Sequence, residues 1–254
     1  MLGYDAVTDV VASFVADPFL IRHDGAWYMF FEILEERRHK GSIGVAVSTD
    51  GVRWRYDGIV LRERGHLSFP YVFCWQGDYY MVPETLARRS VLLYRAARFP
   101  DRWKRVAVLF SGVGADPTPF EFDGRWWMFS CPTPKENDTL RLHVADTLLG
   151  PWREHPQSPV VAGDSRIARA AGRVIAWEGR LLRFAQDCHR YYGTAVRAFE
   201  ITELTPERYR ERPAREAPIL AAGDQTWNAA GMHHVDAHVL PDGTWLAAVD
   251  GRAR

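Results

Sequence analysis

One hairpin, repeated along the chain, decides most of what this sequence can become. The stretch DPFLIRHDGAWYMFFE at 17–32 returns as FPYVFCWQGDYYMVPE at 69–84, DPTPFEFDGRWWMFSC at 116–131 and AGRVIAWEGRLLRFAQ at 171–186. A shorter fifth copy, DAHVLPDGTWLAAVD, stands at 236–250. Each copy sets two apolar, aromatic-rich runs around a turn with glycine, the signature of an antiparallel hairpin. Four copies keep glycine eight residues after their first position: Gly25, Gly77, Gly124 and Gly179. Between copies lie further extended pairs, such as SIGVAVSTDGVRWRYDGIVL and SVLLYRAARFPDRWKRVAVLF. Sequential four-stranded antiparallel units are propeller blades. The expectation is therefore an all-β, five-bladed β-propeller with four-stranded blades, one domain over 1–254. The fifth copy runs out of chain after two strands, so the segment around Val7 to Phe14 is expected to complete that blade.

Strand parity then places the acids. In an antiparallel blade the start of the first strand and the end of the second share a rim, and the tight turn lies at the other. Asp17, Glu32, Glu84, Asp116, Gln186 and Asp250 are expected at one rim near the axis. The longer polar connections, EILEERRHKG, TLARRS, PTPKENDT and DCHRYYG, fall on the same face. Loops longer than closure requires tend to carry function, so the axial pocket on that face is the expected site.

Charge and composition narrow the classes. Lys plus Arg number 32 and Asp plus Glu number 32, giving a net charge of zero and no bulk attraction to nucleic acid. No apolar run is long enough for a membrane span, and MLGYDAVTDVV has no leader pattern, so a cytoplasmic protein is expected. Cys74, Cys131 and Cys188 are odd in number and widely spaced, which fits core thiols better than disulfides or a metal knuckle. GxSxG, P-loop, GxGxxG and HExxH patterns are all missing from the chain.

The DPF…DGAWYMFFE and DPTPF…DGRWWMF units, with VSTDGVRW between them, resemble five-bladed propellers of the arabinanase and β-xylosidase type, a clan of glycoside hydrolases. More closely, HLSFPYVFCWQGDYYMVPET, LLGPW, RFAQDC and RYRERP are similar to the propeller found at the N-terminus of glucosamine inositolphosphorylceramide transferases. The wider resemblance implies Asp17 as general base, Asp116 as the residue that tunes the acid, and a glutamate from another blade, here Glu84, as general acid. It also implies a cation on the axis near a histidine. Inverting hydrolysis needs one protonated and one ionised carboxyl, separated by about 6.5–9.5 Å. Against this stands the plainer reading, in which Asp17 and Asp116 brace strand-entry turns by accepting backbone N–H bonds.

Three histidines gather in WNAAGMHHVDAH, Trp227 to His238. His234 and Asp236 alternate on one strand face and are the candidate ligands of an axial divalent cation. Glu32, Arg89, Gln186, Asp187, Trp227, His234 and Asp236 are the expected substrate contacts. Arg37, Arg38, His39, Lys40, Arg88, Arg89, Lys135, His189 and Arg190 sit in the long loops, as a positive rim for a phosphate or carboxylate or as a solvated surface. The expected function is a carbohydrate-active enzyme of inverting glycoside hydrolase type. The alternatives are an accessory sugar-binding propeller working with a glycosyl- or formyltransferase partner, and a hydrolase-like pocket turned to another reaction on a polar metabolite.

Overall fold

The computed structural model describes residues 2–253. Among these residues twenty-one strands assemble as sheets that follow one another along the chain. Blade 1 is β1 (Ala12–His23), β2 (Ala26–Glu35), β3 (Lys40–Ser48) and β4 (Arg55–Leu61). Blade 2 is β5 (Ser68–Trp75), β6 (Asp78–Glu84), β7 (Ser90–Arg98) and β8 (Arg102–Ser111). Blade 3 runs β9 (Ala115–Phe122), β10 (Arg125–Cys131) and β11 (Thr139–Ala145), with an outer strand broken into β12 (Arg153–Glu154) and β13 (Val161–Ala162). In blade 4 the inner strand is broken into β14 (Arg169–Ala170) and β15 (Ile175–Trp177), both paired with β16 (Arg180–Asp187). Outside β16 lies β17 (Ala195–Leu204), then an outer strand divided into β18 (Tyr209–Pro213) and β19 (Leu220–Ala221). Only β20 (Val235–Val239) and β21 (Trp245–Val249) form the fifth sheet.

The blade count is thus four, not five. Four sheets reach the four-stranded blade pattern, and the fifth repeat closes the ring with two strands. The N-terminal segment does not complete it: Ala12, Phe14, Val15 and Ala16 pair with β2 inside blade 1. Val7 instead packs with Leu20, Trp27 and Met29, a cluster that Leu246 and Ala248 of the fifth sheet join. Hydrophobic side chains cement the seams of the ring, since 47% of the residues are apolar and the inner strands bury rows of them against their neighbours. Blades 3 and 4 share Trp127, Phe129, Leu142 and Leu181. Blade 4 and the fifth sheet share Leu182, Phe184, Val196 and Val235. At the centre Phe19 meets Phe69 edge-on at 4.8 Å and His234 at 4.7 Å, joining blades 1 and 2 to the fifth sheet. Among the described residues no helix is long and apolar enough to cross a membrane.

Candidate functional site: the axial rim

Three blades enter the rim through the same backbone device. Asp17, Phe69 and Asp116 all have left-handed backbone, with φ of 53°, 45° and 47°, and all precede a proline. The ladder skips there in each case: Ala16 faces Glu32 and Phe19 faces Phe30, Ser68 faces Glu84 and Tyr71 faces Val82, and Ala115 faces Cys131 while Thr118 faces Phe129. A non-glycine residue in this region costs on the order of 1–3 kcal/mol and persists only where its surroundings hold it. Here a carboxylate does so. Asp17 N–H donates to Asp250 (3.0 Å), Phe69 N–H to Asp17 (3.2 Å) and Asp116 N–H to Glu84 (3.0 Å). The acids at the two ends of the hairpin are thus, in part, braces for the next bulge around the ring.

Between Glu84 and Asp116 stands Arg169, which lies two residues before the fourth repeat and faces Gln186 across the sheet. Its Nε donates to Asp116 Oδ2 at 2.6 Å, and Nη2 reaches Asp116 Oδ1 at 3.2 Å and Glu84 Oε2 at 3.3 Å. Nη1 donates to Asn137 Oδ1 at 2.8 Å. Gln186 adds a further donor to Asp116 at 2.9 Å. Burial pushes the Asp116 carboxyl up to about 7; Arg169 pulls against this and Glu84 adds to it. Asp116, only 2% exposed, lies behind Arg169 and Gln186 and does not line the pocket. The structure brings Asp17, Glu84 and Asp116 to one rim, but a guanidinium engages two of the three.

On the opposite side, Asp17, His233 and Asp250 converge. Their ligand atoms lie within 4.8 Å of one another, the one such group among the described residues. His233 points Nε2 at Asp17 (3.3 Å) and Nδ1 at Asp250 (2.9 Å). Burial opposes a charge on this ring, yet Asp250 and Asp17 outweigh it and hold His233 protonated well above its ordinary range. A metal ligand must be a neutral imidazole, so the group as it stands, with His233 between two carboxylates, does not ligate a metal without first losing that proton.

Nor do His234 and Asp236 form a metal pair. Asp236 accepts from Arg173 Nε (2.8 Å), His238 Nε2 (2.9 Å) and Leu20 N–H (2.6 Å). Burial alone would raise its carboxyl, but Arg173 and His238 hold it far below the ordinary range. His234, fully buried, points Nε2 at the Pro18 carbonyl at 3.1 Å. Arg173 also donates to the Val72 and Leu20 carbonyls and lies 4.9 Å over Tyr71, closing the axis below the mouth. Gly172 lets the chain turn there: its φ is +140°, and a Cβ would stand 1.9 Å from the Val235 carbonyl oxygen.

The open space at the rim is a cavity of about 1150 Å³ that continues into the seam between blade 1 and the fifth sheet. Asp17, Glu32, Glu84 and Asp250 face it with Arg169, His66 and His233; Tyr192 and Trp227 supply aromatic rings. Tyr192, 43% exposed, covers Arg169 at 5.0 Å. Glu32 is 5% exposed and its carboxyl is raised by burial, with His66 opposing. His66 accepts the Gly41 N–H on Nδ1 (2.9 Å), so its proton is on Nε2, 3.1 Å from Glu32 Oε1. Of the seven expected contacts, Glu32 and Trp227 line the cavity. Gln186, His234 and Asp236 are buried outside its lining. Arg89 is exposed on the turn after the 3₁₀ segment Leu86–Arg88, and Asp187 is tied to Arg197 at 3.0 Å, outside the cavity lining.

Sequence reasoning missed Arg169, Arg173, His66, Tyr192 and His233. Aligning the repeats by ladder partner rather than by first residue would have pointed to Arg169, since it faces Gln186 as Ala16 faces Glu32 and Ser68 faces Glu84.

The comparisons with known proteins agree with this architecture. Among solved structures, an exo-1,5-α-L-arabinanase from a bovine ruminal metagenomic library superposes with a TM-score of 0.67 at 18% identity, covering 94% of this chain and 88% of that one. The catalytic domain of a GH62 α-L-arabinofuranosidase from Coprinopsis cinerea also gives 0.67, at 17% identity over 88% and 77%. At such identities these likenesses show the propeller fold alone. A relative named glucosamine inositolphosphorylceramide transferase 1, from Oryza sativa subsp. indica, is 38% identical over 247 residues, 94% of this chain and 33% of the relative. The Arabidopsis thaliana protein of that name is 36% identical over 250 residues, 94% of this chain and 32% of its own. This chain spans about a third of the length of those relatives. The family model "Glucosamine inositolphosphorylceramide transferase 1, N-terminal" matches residues 4–252, and the chain belongs to that family.

Proposed function

We propose that the axial pocket receives a sugar-containing small molecule and that recognition, in the service of a transferase, is its task. The observation that carries this reading is Arg169. Held between Glu84 and Asp116, it occupies two of the three carboxyls that an inverting hydrolase of this resemblance would use to move protons. Asp17, Glu32 and Asp250 still present oxygens to the cavity beside the rings of Tyr192 and Trp227. Pockets for small polar ligands combine apolar and aromatic walls with a few convergent polar groups in this way. That the curated relatives carry this unit within much longer chains named as transferases supports the partner role.

One observation favours a second, hydrolytic reading. Glu32 has a carboxyl raised by burial and, to a lesser degree, by Asp17, and both line the cavity. Glu32 as acid with Asp17 as the second carboxyl would supply the pair that hydrolysis needs without Glu84. Thermal shift and product analysis against a panel of glycans and nucleotide sugars separate the readings, using wild type, Asp17→Asn and Glu32→Gln. Recognition predicts saturable stabilisation without product, about 2.7 kcal/mol at a hundredfold excess over Kd, and its loss in Asp17→Asn. Release of a free sugar by wild type and by neither variant would overturn it in favour of hydrolysis.

A further inference from the structure

The fifth sheet ends in an edge that the ring does not use. Val235 N–H donates away from β21, to the Ala171 carbonyl at 2.7 Å, and at the turn end of the hairpin Leu240 N–H donates to the Thr244 carbonyl at 2.8 Å. Between these two points the alternation of an antiparallel ladder directs the backbone N–H and C=O groups of Trp245, Ala247 and Val249 away from β20. Among the described residues none of these groups has a partner. Natural edges are guarded by charge, proline or a bulge. The strand WLAAV has none of these. Leu246, Ala247, Ala248 and Val249 all line the large cavity. Consecutive strand residues point to opposite faces, so four in a row line one space only where that space runs along the strand's edge.

The edge is also recessed. Blade 1 carries β3 and β4 beyond β2, and blade 4 carries β17 and its divided outer strand beyond β16, so β21 lies two strand spacings, about 10 Å, inside the walls on either side. A second copy of this chain has an equally recessed β21 and cannot bring it there. One extended segment can. The walls are apolar: Phe14 and Trp54 line the cavity on the blade 1 side, and Trp177 meets Trp245 at 5.6 Å on the blade 4 side. Leu2, Val7 and Val10 pack in this seam, but none of the described residues before Ala12 belongs to a strand. This unit makes up about a third of each curated relative, so most of those transferase-named chains is other polypeptide. We propose that the edge docks one extended strand of the transferase with which the unit works, added beside β21 as the third strand of the fifth blade. The inference rests on the reading of the unit as serving a transferase, and it names the surface of that partnership. Main-chain bonds to Trp245, Ala247 and Val249 hold the strand, and the walls select apolar side chains at alternate positions.

The test uses the whole protein without glycan. Its probes are overlapping peptides about ten residues long, the length of a strand, covering the part of the Oryza sativa relative outside the matched unit. Fluorescence anisotropy reads binding, and residue-resolved amide exchange by NMR reads where it occurs. At least one peptide should bind and slow exchange at Trp245, Ala247 and Val249 about tenfold or more, a step of about 1.4 kcal/mol, while Leu246 and Ala248, already bonded to β20, change less. Ala247→Pro removes one outward N–H and no ladder bond, a change that edge strands tolerate. It should keep the wild-type melting temperature and weaken the peptide about tenfold or more. The exchange measurement on wild type stands even if that variant does not fold. Three results overturn the proposal: no peptide that slows these amides, slow exchange at them in the free dilute protein, or binding that survives in folded Ala247→Pro. Protection that appears only as the protein associates with itself assigns the edge to a second copy and overturns it too. Glycan binding is read separately by thermal shift, so an edge that takes no peptide leaves the pocket reading standing. Edge binding in a protein that no glycan stabilises keeps the docking site and counts against the pocket.

Discussion

Removing Arg169 tests the electrostatics of the rim most directly. In Arg169→Leu the Glu84 and Asp116 carboxyls keep their burial, 5% and 2% exposed, but lose their shared guanidinium. Breaking a buried ion pair by deleting one partner costs about 3–5 kcal/mol. For a domain of this size each kcal/mol lowers the melting temperature by about 2–4 °C, so a loss of about 6–20 °C is expected. The loss should depend on pH. Asp116 already has a carboxyl pushed up to about 7 in the fold, against an ordinary 3.8. A raised carboxyl makes the ionised fold less stable as pH climbs from the unfolded to the folded value. Losing Arg169, which pulls that value down, moves the folded value higher still. Below about 7 the group is protonated in both proteins and contributes no difference. Above it, the variant goes on losing stability, by at most about 1.4 kcal/mol per pH unit, where wild type has levelled off. Urea unfolding at pH 6 and pH 9 should show a larger gap at pH 9, and Asp116→Asn in the Arg169→Leu background should flatten the dependence. A variant as stable as wild type at both pH values, or a gap that widens on acidification, would refute the account of the clamp.

Three further outcomes follow from the same packing. His233, raised above its ordinary 6.5 by Asp250 and Asp17, contributes stability that is present below 6.5 and is lost as pH rises through its folded value, so melting temperatures from pH 6 to 10 should show His233→Gln converging on wild type at the alkaline end; a constant difference would contradict it. Asp236→Ala strands Arg173 on the closed axis and should cost about 3–5 kcal/mol by urea unfolding. Gly172→Ala drives a Cβ to 1.9 Å from the Val235 carbonyl at a φ of +140°, and should lose on the order of 3 kcal/mol or fail to accumulate as folded protein.

The repeated hairpins were legible because their information is local: turn chemistry, aromatic runs and strand parity lie within sixteen residues of one another. Parity alone sufficed to gather Asp17, Glu32, Glu84, Asp116, Gln186 and Asp250 at one rim. Groups that meet through the ring are another matter. Arg169 and Arg173 lie in DSRIARAAGR, where the inner strand of blade 4 is interrupted and the two-residue period that guides strand reading fails. The histidine pair shows the limit of parity at a strand end. His233, just before β20, turns to the rim and to Asp250, while its neighbour His234 turns inward to Phe19 and Phe69. The blade count failed for a related reason, since Val7 to Phe14 contains enough extended residues for a closing strand, yet its strand residues, Ala12 to Phe14, belong to blade 1 and Val7 only packs at the seam with the fifth sheet.

The short fifth sheet makes the ring uneven in its resistance to opening. Four sectors are backed by outer strands; the sector carrying His233 and Asp250 has β21 as its outermost layer and, among the described residues, no further strand outside it. Segments with fewer buried layers open at lower free energy than the rest of a fold. A ligand that spans from Glu84 to Asp250 would therefore act as a buckle across the weakest sector, and amide exchange along β20 and β21 should slow on binding more than anywhere else in the molecule.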